Sequence, residues 1–105
     1  MSIQKFIEDN GLVKMDEDTW NKVSIYGDPL CDHADFDIDD GEFYYKDDEI
    51  TDNGDLRMLW LLVEKQGTSK DQLNEIAFLC DKCDSGYVEV DDDKSFLFRF
   101  YWEVL

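Results

Sequence analysis

Two pairs of metal-binding residue types stand out in the sequence. Cys80 and Cys83 form a Cys-x-x-Cys pair, and Cys31 and His33 form a Cys-x-His pair. Thiolate and imidazole ligands together suit a tetrahedral zinc ion, so these four residues are a candidate zinc set. However, Cys-x-His is a poor match to the usual half-site, and Cys80 lies on the apolar face of a predicted helix, where a buried thiol needs no metal. We therefore expect three independent cysteines and neither a metal nor another cofactor.

The sequence DFDIDDG, residues 35–41, resembles the opening of a calcium-binding EF-hand loop. Such a loop needs acids at positions 1, 3 and 5, glycine at position 6 and glutamate at position 12. Counted from Asp35, position 6 is Asp40 and position 12 is Lys46, while the glycine, Gly41, comes one residue late. Because two required positions carry the wrong residue, we expect no specific calcium site.

The residues needed for catalysis are poorly represented. His33 is the only histidine, and although Asp32 and Asp35 can orient it, no serine or cysteine stands out as its activated partner. The Cys-x-x-Cys pair lies beside Asp81 and Asp84 at the predicted end of a helix, where the thiol pKa should rise, whereas redox pairs need it lowered. The chain also has no glycine-rich phosphate loop. We predict that the protein is not an enzyme.

The net charge of the chain restricts its partners. The 105 residues include 27 acids and 10 bases, which gives a formal charge of -17 at pH 7. Contacts to phosphate require lysine and arginine, so this balance argues against direct binding to nucleic acid and against an anionic membrane surface. We expect a basic protein as the partner, either a nucleic-acid-binding enzyme or a toxin. The alternative is that the acidity only confers solubility.

Hydrophobic periodicity predicts a small single α+β domain that covers residues 1–105. Strands paired into antiparallel hairpins are predicted at about 20–26, 34–39, 42–46, 87–91 and 95–104. Helices are predicted near 3–10, where Ser2 can cap the start and Gly11 can end the helix, and near 69–83. Both pack against this sheet, whose last strand carries apolar residues at alternate positions: Phe96, Phe98, Phe100, Trp102 and Val104. The segment 56–66 is ambiguous, because its Leu, Met, Glu and Lys favour a helix, while a short apolar run also fits a buried strand. We favour the helix for this segment.

The acidic segment 34–46 is predicted to form a hairpin with a two-residue turn at Asp40-Gly41. In that register the apolar face carries Phe36, Ile38, Phe43 and Tyr45. The other face is wet and acidic and carries Asp35, Asp37, Asp39, Glu42 and Tyr44. Alternate residues of a strand are about 6.7 Å apart and point the same way, so these acids form a row of carboxylates. Such a row fits a basic groove that otherwise binds phosphates.

The predicted partner-binding surface extends beyond this hairpin. Its members are Asp35, Asp37, Asp39, Asp40, Glu42, Tyr44, Asp47, Asp48, Glu49, Asp52, Asp91, Asp92 and Asp93. Small acidic proteins of phages and mobile elements that block restriction or CRISPR enzymes resemble this chain in composition. We therefore predict an inhibitor that imitates DNA or RNA. The alternatives are an immunity or antitoxin protein against a basic nuclease toxin, and a small acidic chaperone or adaptor.

The hydropathy of the chain indicates where the protein works. Its first twenty residues contain no apolar block typical of a signal peptide. The longest near-apolar run, residues 56–63, is too short to span a bilayer and contains Arg57. We expect a soluble, cytoplasmic protein with free thiols.

Overall fold

The computed structural model describes residues 2–25, 27–32, 36, 41–65, 74, 76, 77, 81 and 83–103. The helices are α1 (Ile3–Asp9) and α2 (Glu17–Trp20), and 3-10 turns lie at Leu30–Asp32 and Asp47–Glu49. The strands are β1 (Val13–Lys14), β2 (Ser24–Ile25), β3 (Asp28–Pro29), β4 (Glu42–Tyr45), β5 (Met58–Glu64), β6 (Ser85–Asp91) and β7 (Ser95–Tyr101). Five of the strands form an antiparallel sheet in the order β1-β4-β5-β7-β6, and β2 and β3 form a small second sheet. This mixture of sheet and short helices agrees with the predicted α+β class.

The segment 56–66 forms the central strand of the sheet, so the helix that we favoured there is wrong. β5 pairs with β4 on one side and with β7 along all seven of its residues on the other. Leu59, Trp60 and Leu61 are consecutive and all buried, because both faces of the central strand are covered. A strand buried on both faces loses the apolar–polar alternation that identifies strands in a sequence. Pairing with two neighbours outweighs the weak helix propensity of its residues.

Each face of the five-stranded sheet carries its own hydrophobic cluster. The larger cluster contains Met15, Trp20, Val23, Ile25, Leu30, Phe43, Tyr45, Leu56, Leu59, Leu61, Val63, Ile76, Phe100 and Trp102. The smaller cluster, on the side of α1, contains Ile3, Ile7, Leu12, Trp60, Val90 and Leu97. The alternation predicted for 95–104 therefore holds over the described residues up to Trp102, since Phe100 and Trp102 enter the larger cluster while Leu97 enters the smaller one.

The predicted helix 3–10 is confirmed as α1, and its signals act as expected. The Ser2 hydroxyl accepts a hydrogen bond from the Lys5 amide at 3.1 Å and so caps the first turn. Ile3 and Ile7 are buried against the sheet. Gly11 follows the helix with φ at +64°, a left-handed conformation that glycine adopts at low cost.

The strand predicted at 20–26 is shorter than expected and lies outside the main sheet. Asp16 caps the start of α2, because its side chain accepts a hydrogen bond from the Thr19 amide. Trp20 is the last residue of this helix and so does not begin a strand. Among the described residues 20–25, only Ser24–Ile25 forms a strand, and it pairs with β3, with Gly27 at positive φ between them.

The predicted pairing of the strand at 42–46 with a strand at 34–39 is wrong. The strand itself is confirmed as β4, with Phe43 and Tyr45 buried as expected. However, Tyr44 pairs with Lys14 of β1 on one side and with Trp60 of β5 on the other. Both edges of β4 are therefore already paired, and neither is left for the predicted partner strand. Residues 34, 35 and 37–39 of the other predicted strand lie outside the described residues, and Phe36 lies in a bend.

Phe36 packs on the ring of Trp20, with their centroids 5.6 Å apart. The apolar side that we predicted for Phe36 is therefore right even though its strand pairing is not.

The C-terminal hairpin is confirmed, although β7 ends at Tyr101, and the predicted helix 69–83 is helical at four described residues but not at Cys83, which lies in a bend. β6 pairs with β7, although a bulge between Val88 and Val90 shifts the register. The bulge puts Val90 into the smaller cluster and leaves Val88 exposed, so the two valines do not share a face. In the predicted 69–83 helix the described residues 74, 76, 77 and 81 are helical, and Ile76 packs in the larger cluster.

Candidate functional site

Apart from Glu42, the described acids of the predicted surface fall into two groups at opposite ends of the sheet. The tip cluster consists of Asp91, Asp92 and Asp93, where β6 turns into β7. The loop cluster consists of Asp47, Asp48, Glu49 and Asp52, between β4 and β5. The structure therefore does not bring these residues together into one continuous patch.

The strand register gives the separation of the two clusters. Asp91 pairs with Phe96, which pairs with Val63 near the end of β5. The loop cluster follows β4 at the other end, where Tyr44 pairs with Trp60 and the chain runs on towards the start of β5. The seven residues of β5 span about 20 Å. A partner that contacts both clusters must therefore reach across the length of the sheet.

Two of the three carboxylates of the tip cluster form contacts within the protein. The Asp92 carboxylate accepts hydrogen bonds from the backbone amides of Ile3 at 3.2 Å and Asp93 at 2.6 Å. These two bonds, first that from Ile3, lower the pKa of Asp92 below its usual value. Asp91 forms an ion pair with Lys65. Asp91 and Asp93 are both exposed, and Asp93 is the member of this cluster whose carboxylate forms neither of these contacts.

The loop cluster is more open. Asp47 and Asp48 start a 3-10 turn and are exposed, and Asp52 is exposed in the following loop. The loop is anchored through Asp55, which is buried and accepts a hydrogen bond from the Gly27 amide at 3.2 Å. Because this anchor is separate from the three exposed carboxylates, the loop can present them without using them to hold its shape.

Glu42 and Tyr44 do not lie on a freely solvated face, contrary to the prediction. The Tyr44 hydroxyl donates to the Glu42 carboxylate at 3.1 Å, and Lys14 forms an ion pair with the same carboxylate at 3.1 Å. Tyr44 also packs against the smaller hydrophobic cluster. Burial, followed by the nearby negative charge of Glu42, raises the pKa of Tyr44 to about 12. The Glu42 carboxylate and the Tyr44 hydroxyl are therefore already engaged in contacts within the protein and are less available to a partner.

Most of the remaining predicted site residues lie outside the described part of the chain. Asp35, Asp37, Asp39 and Asp40 lie outside the described residues, so the predicted carboxylate row stays a prediction. His33 and Cys80 of the candidate zinc set also lie outside them.

Cys31 is exposed, and Cys83 is half-buried and packs against the larger cluster. Among the described residues, no three His, Cys, Asp or Glu side chains are grouped to hold a metal ion.

An aromatic and cationic group on the sheet was missed by the sequence reasoning. The guanidinium of Arg99 lies 5.4 Å from the ring centre of Tyr87 and 5.7 Å from that of Tyr101, and it donates to the Tyr87 hydroxyl at 2.6 Å. Arg57 donates to the Tyr101 hydroxyl at 3.4 Å. This hydrogen bond raises the pKa of Arg57, and Glu49 adds a smaller effect. The sequence signal for this group is the alternation of side chains between the two faces of β6 and β7. It places Tyr87 opposite Arg99 once the register of the two strands is known.

Comparisons of this chain with protein-family models, with curated proteins and with solved structures gave no match. In the part of the chain that the structure describes, no helix has the length and apolar character needed to cross a bilayer.

Proposed function

We propose that the protein is a non-enzymatic inhibitor that binds the basic nucleic-acid-binding surface of another protein. The observation that carries this proposal is the charge of -17 on a folded domain whose described acidic side chains are mostly exposed. Self-repulsion of this size costs stability, so a chain that only needed to be soluble would do with less charge. The exposed carboxylates offer a basic groove the charge that it normally finds on phosphates.

The cations are too few to neutralise the surface, since the chain has 10 lysines and arginines against 27 acids. Lys14 is held by Glu42, and Lys65 is held by Asp91 and lies 4.7 Å from the ring centre of Phe96.

Beside the loop cluster lie Lys46, which directly precedes Asp47, and Arg57, which interacts electrostatically with Glu49. These two cations do not balance the four acids, so a partner that approaches the loop cluster meets an electronegative surface, which supports fast association with a basic protein.

The separation of the two clusters supports a groove-shaped partner. One strand of DNA carries one charge per about 3.4 Å of helix axis, so about 20 Å corresponds to about six phosphates. A basic groove of that length contacts the loop cluster at one end and Asp93 at the other. Binding of this kind should be strongly dependent on salt, because the Debye length at physiological ionic strength is only about 8 Å.

Affinity capture from a host lysate tests the proposal. Immobilised full-length protein is incubated with lysate at low and at high salt, after nuclease treatment to remove nucleic-acid bridges. We expect nucleic-acid-binding enzymes to be retained at low salt and released at high salt. Salt-resistant capture of one small basic protein would support an immunity or antitoxin function instead. Retention of no basic protein at either salt concentration would show that the proposal is wrong.

A further inference from the structure

We infer that the outer edge of β6 binds an extended basic segment of the partner by strand addition. The inference rests on the proposed function, because the proposed basic partner supplies the segment. Among the described strands, β6 has β7 on one side and ends the sheet on the other. Residues 85–88 of this strand are all exposed. An edge strand presents a row of backbone donors and acceptors that an extended peptide can pair with.

The residue types along β6 leave this edge open to pairing. Edge strands are usually protected by lysine, by proline or by a bulge that twists the edge away. β6 reads Ser-Gly-Tyr-Val-Glu-Val-Asp and has no lysine, arginine or proline. Its bulge comes between Val88 and Val90, so residues 85–88 before it keep a regular register with β7.

An apolar row across the sheet indicates one side chain of the added segment. Phe43 pairs with Leu61, Leu61 with Phe98, and Phe98 with Val88, so the row crosses four strands in register. Val88 ends the row with 43% of its surface exposed, while Phe43 and Leu61 are buried. An apolar residue opposite Val88 would continue the row and remove this surface from water.

Charge decides what kind of chain fits the edge. β6 carries Glu89 and Asp91, of which Asp91 is paired with Lys65. Arg99 of β7 lies against Tyr87, while the chain as a whole has a net charge of -17. A second copy of the protein would bring the same excess of negative charge to the edge. A basic segment complements it, and like charges suppress the competing self-pairing. The occupant is therefore an extended stretch with lysine or arginine around an apolar residue.

The probe for this site is a capped octapeptide of alternating lysine and valine. It is added to the isotope-labelled full chain at low salt, and amide shifts and hydrogen exchange are followed by NMR. A peptide of the same sequence with alternate backbone nitrogens methylated serves as a control, because it keeps the charge but cannot pair as a strand. We expect protection of amides in residues 85–91 by the first peptide, and weaker binding with no such protection by the second.

The chain itself offers a matched substitution. Val13 lies on β1, the opposite edge strand, with 44% of its surface exposed, close to the 43% of Val88. Val88→Ala and Val13→Ala both leave the net charge unchanged, so a difference in peptide binding between them reports the apolar contact at the edge of β6. We expect Val88→Ala to weaken binding about threefold to fivefold more than Val13→Ala, as expected for loss of one apolar cross-strand pair.

Four results would overturn the inference. They are equal effects of the two valine substitutions, equal binding of the two peptides, protection at other strands, and concentration-dependent protection of β6 without peptide, which would show pairing with a second copy. If the chain captures basic proteins from lysate but does not bind the peptide at β6, strand addition is wrong while the proposed function stands. If it captures none, the proposed function fails independently.

Discussion

The Asp92 carboxylate accepts a hydrogen bond from the backbone amide of Ile3 at 3.2 Å and so ties the tip of the β6–β7 hairpin to the first turn of α1. The two residues are 89 positions apart in the chain. An acid that the sequence assigned to a partner surface therefore satisfies one of the free amides at the start of a helix. Position within an acidic run does not reveal which carboxylates the fold already uses.

This contact predicts different effects for two neighbouring acids. Asp92→Ala removes the acceptor for the Ile3 amide and should lower the melting temperature, because the helix start and the hairpin tip lose their connection. Asp93→Ala removes the same charge from an exposed side chain and should leave the melting temperature nearly unchanged. Thermal unfolding followed by circular dichroism compares the two variants, and equal melting temperatures would argue against a structural role for Asp92.

Acid should weaken the fold partly through Asp92. Because the pKa of this carboxyl is lowered in the folded protein, its contribution to stability is present above the unfolded value of about 3.9. That contribution is lost as the pH falls through the lower folded value. Asp92→Asn does not titrate, so its free energy of unfolding should depend less on pH below about 4 than that of the wild type. Urea unfolding at several acidic pH values measures the difference, and parallel curves would contradict it.

A second capping acid should behave in the same way. The amide and hydroxyl of Thr19 lower the pKa of Asp16 at the start of α2, the backbone bond first. Asp16→Asn should therefore also reduce the dependence of stability on pH in the acid range, again with the loss occurring as the pH falls. Asp18→Asn in the same helix is the control, since its side chain is exposed and does not cap the helix. Equal curves for the two variants would contradict the capping role.

Tyr44 should ionise at a higher pH than a tyrosine in a model peptide. Its pKa of about 12 is above the usual value of about 10, so the folded protein favours the neutral phenol. The associated stability is present below pH 10 and is lost as the pH rises towards 12. An ultraviolet titration of the phenols should show a late step that is missing in Tyr44→Phe. Tyr87→Phe, at an exposed residue, should leave the late step in place. A late step that persists in Tyr44→Phe would contradict this assignment.

The central position of β5 predicts a large cost for one truncation. Leu59 has no exposed surface, so Leu59→Ala should reduce the free energy of unfolding by about 2–5 kcal/mol. Met58→Ala, at the half-buried neighbouring residue, should cost less. Chemical denaturation measures both, and a small cost at Leu59 would argue against a strand buried on both faces.

The sequence predicted the elements whose signals are local and missed those that depend on distant pairing. The cap at Ser2 and the alternation from Phe96 to Trp102 depend on residues close together in the sequence, and both predictions are confirmed. β1 has only two residues, too few for a pattern, yet it occupies the edge of β4 that we had assigned to a hairpin partner. The run around Leu59 became a strand because β4 and β7 flank it, which no local pattern contains.

The same limit applies to the candidate site. Net charge and the positions of the acids come directly from the sequence, whereas the opposite placement of the two clusters depends on strand register. Likewise, the exposure of Val88 follows from a bulge that alternation does not predict.

The measurement that tests the central claim most directly is quantitative mass spectrometry of the proteins captured from lysate by three forms of the chain. They are the wild type, the loop-cluster variant Asp47→Asn/Asp48→Asn/Asp52→Asn, and a control of equal charge change, Glu8→Gln/Asp9→Asn/Asp28→Asn, at exposed residues outside both clusters. We predict salt-sensitive capture of nucleic-acid-binding proteins by the wild type, reduced about tenfold in the loop-cluster variant and much less in the control. Equal capture by both variants, or no basic protein retained by the wild type, would contradict the claim.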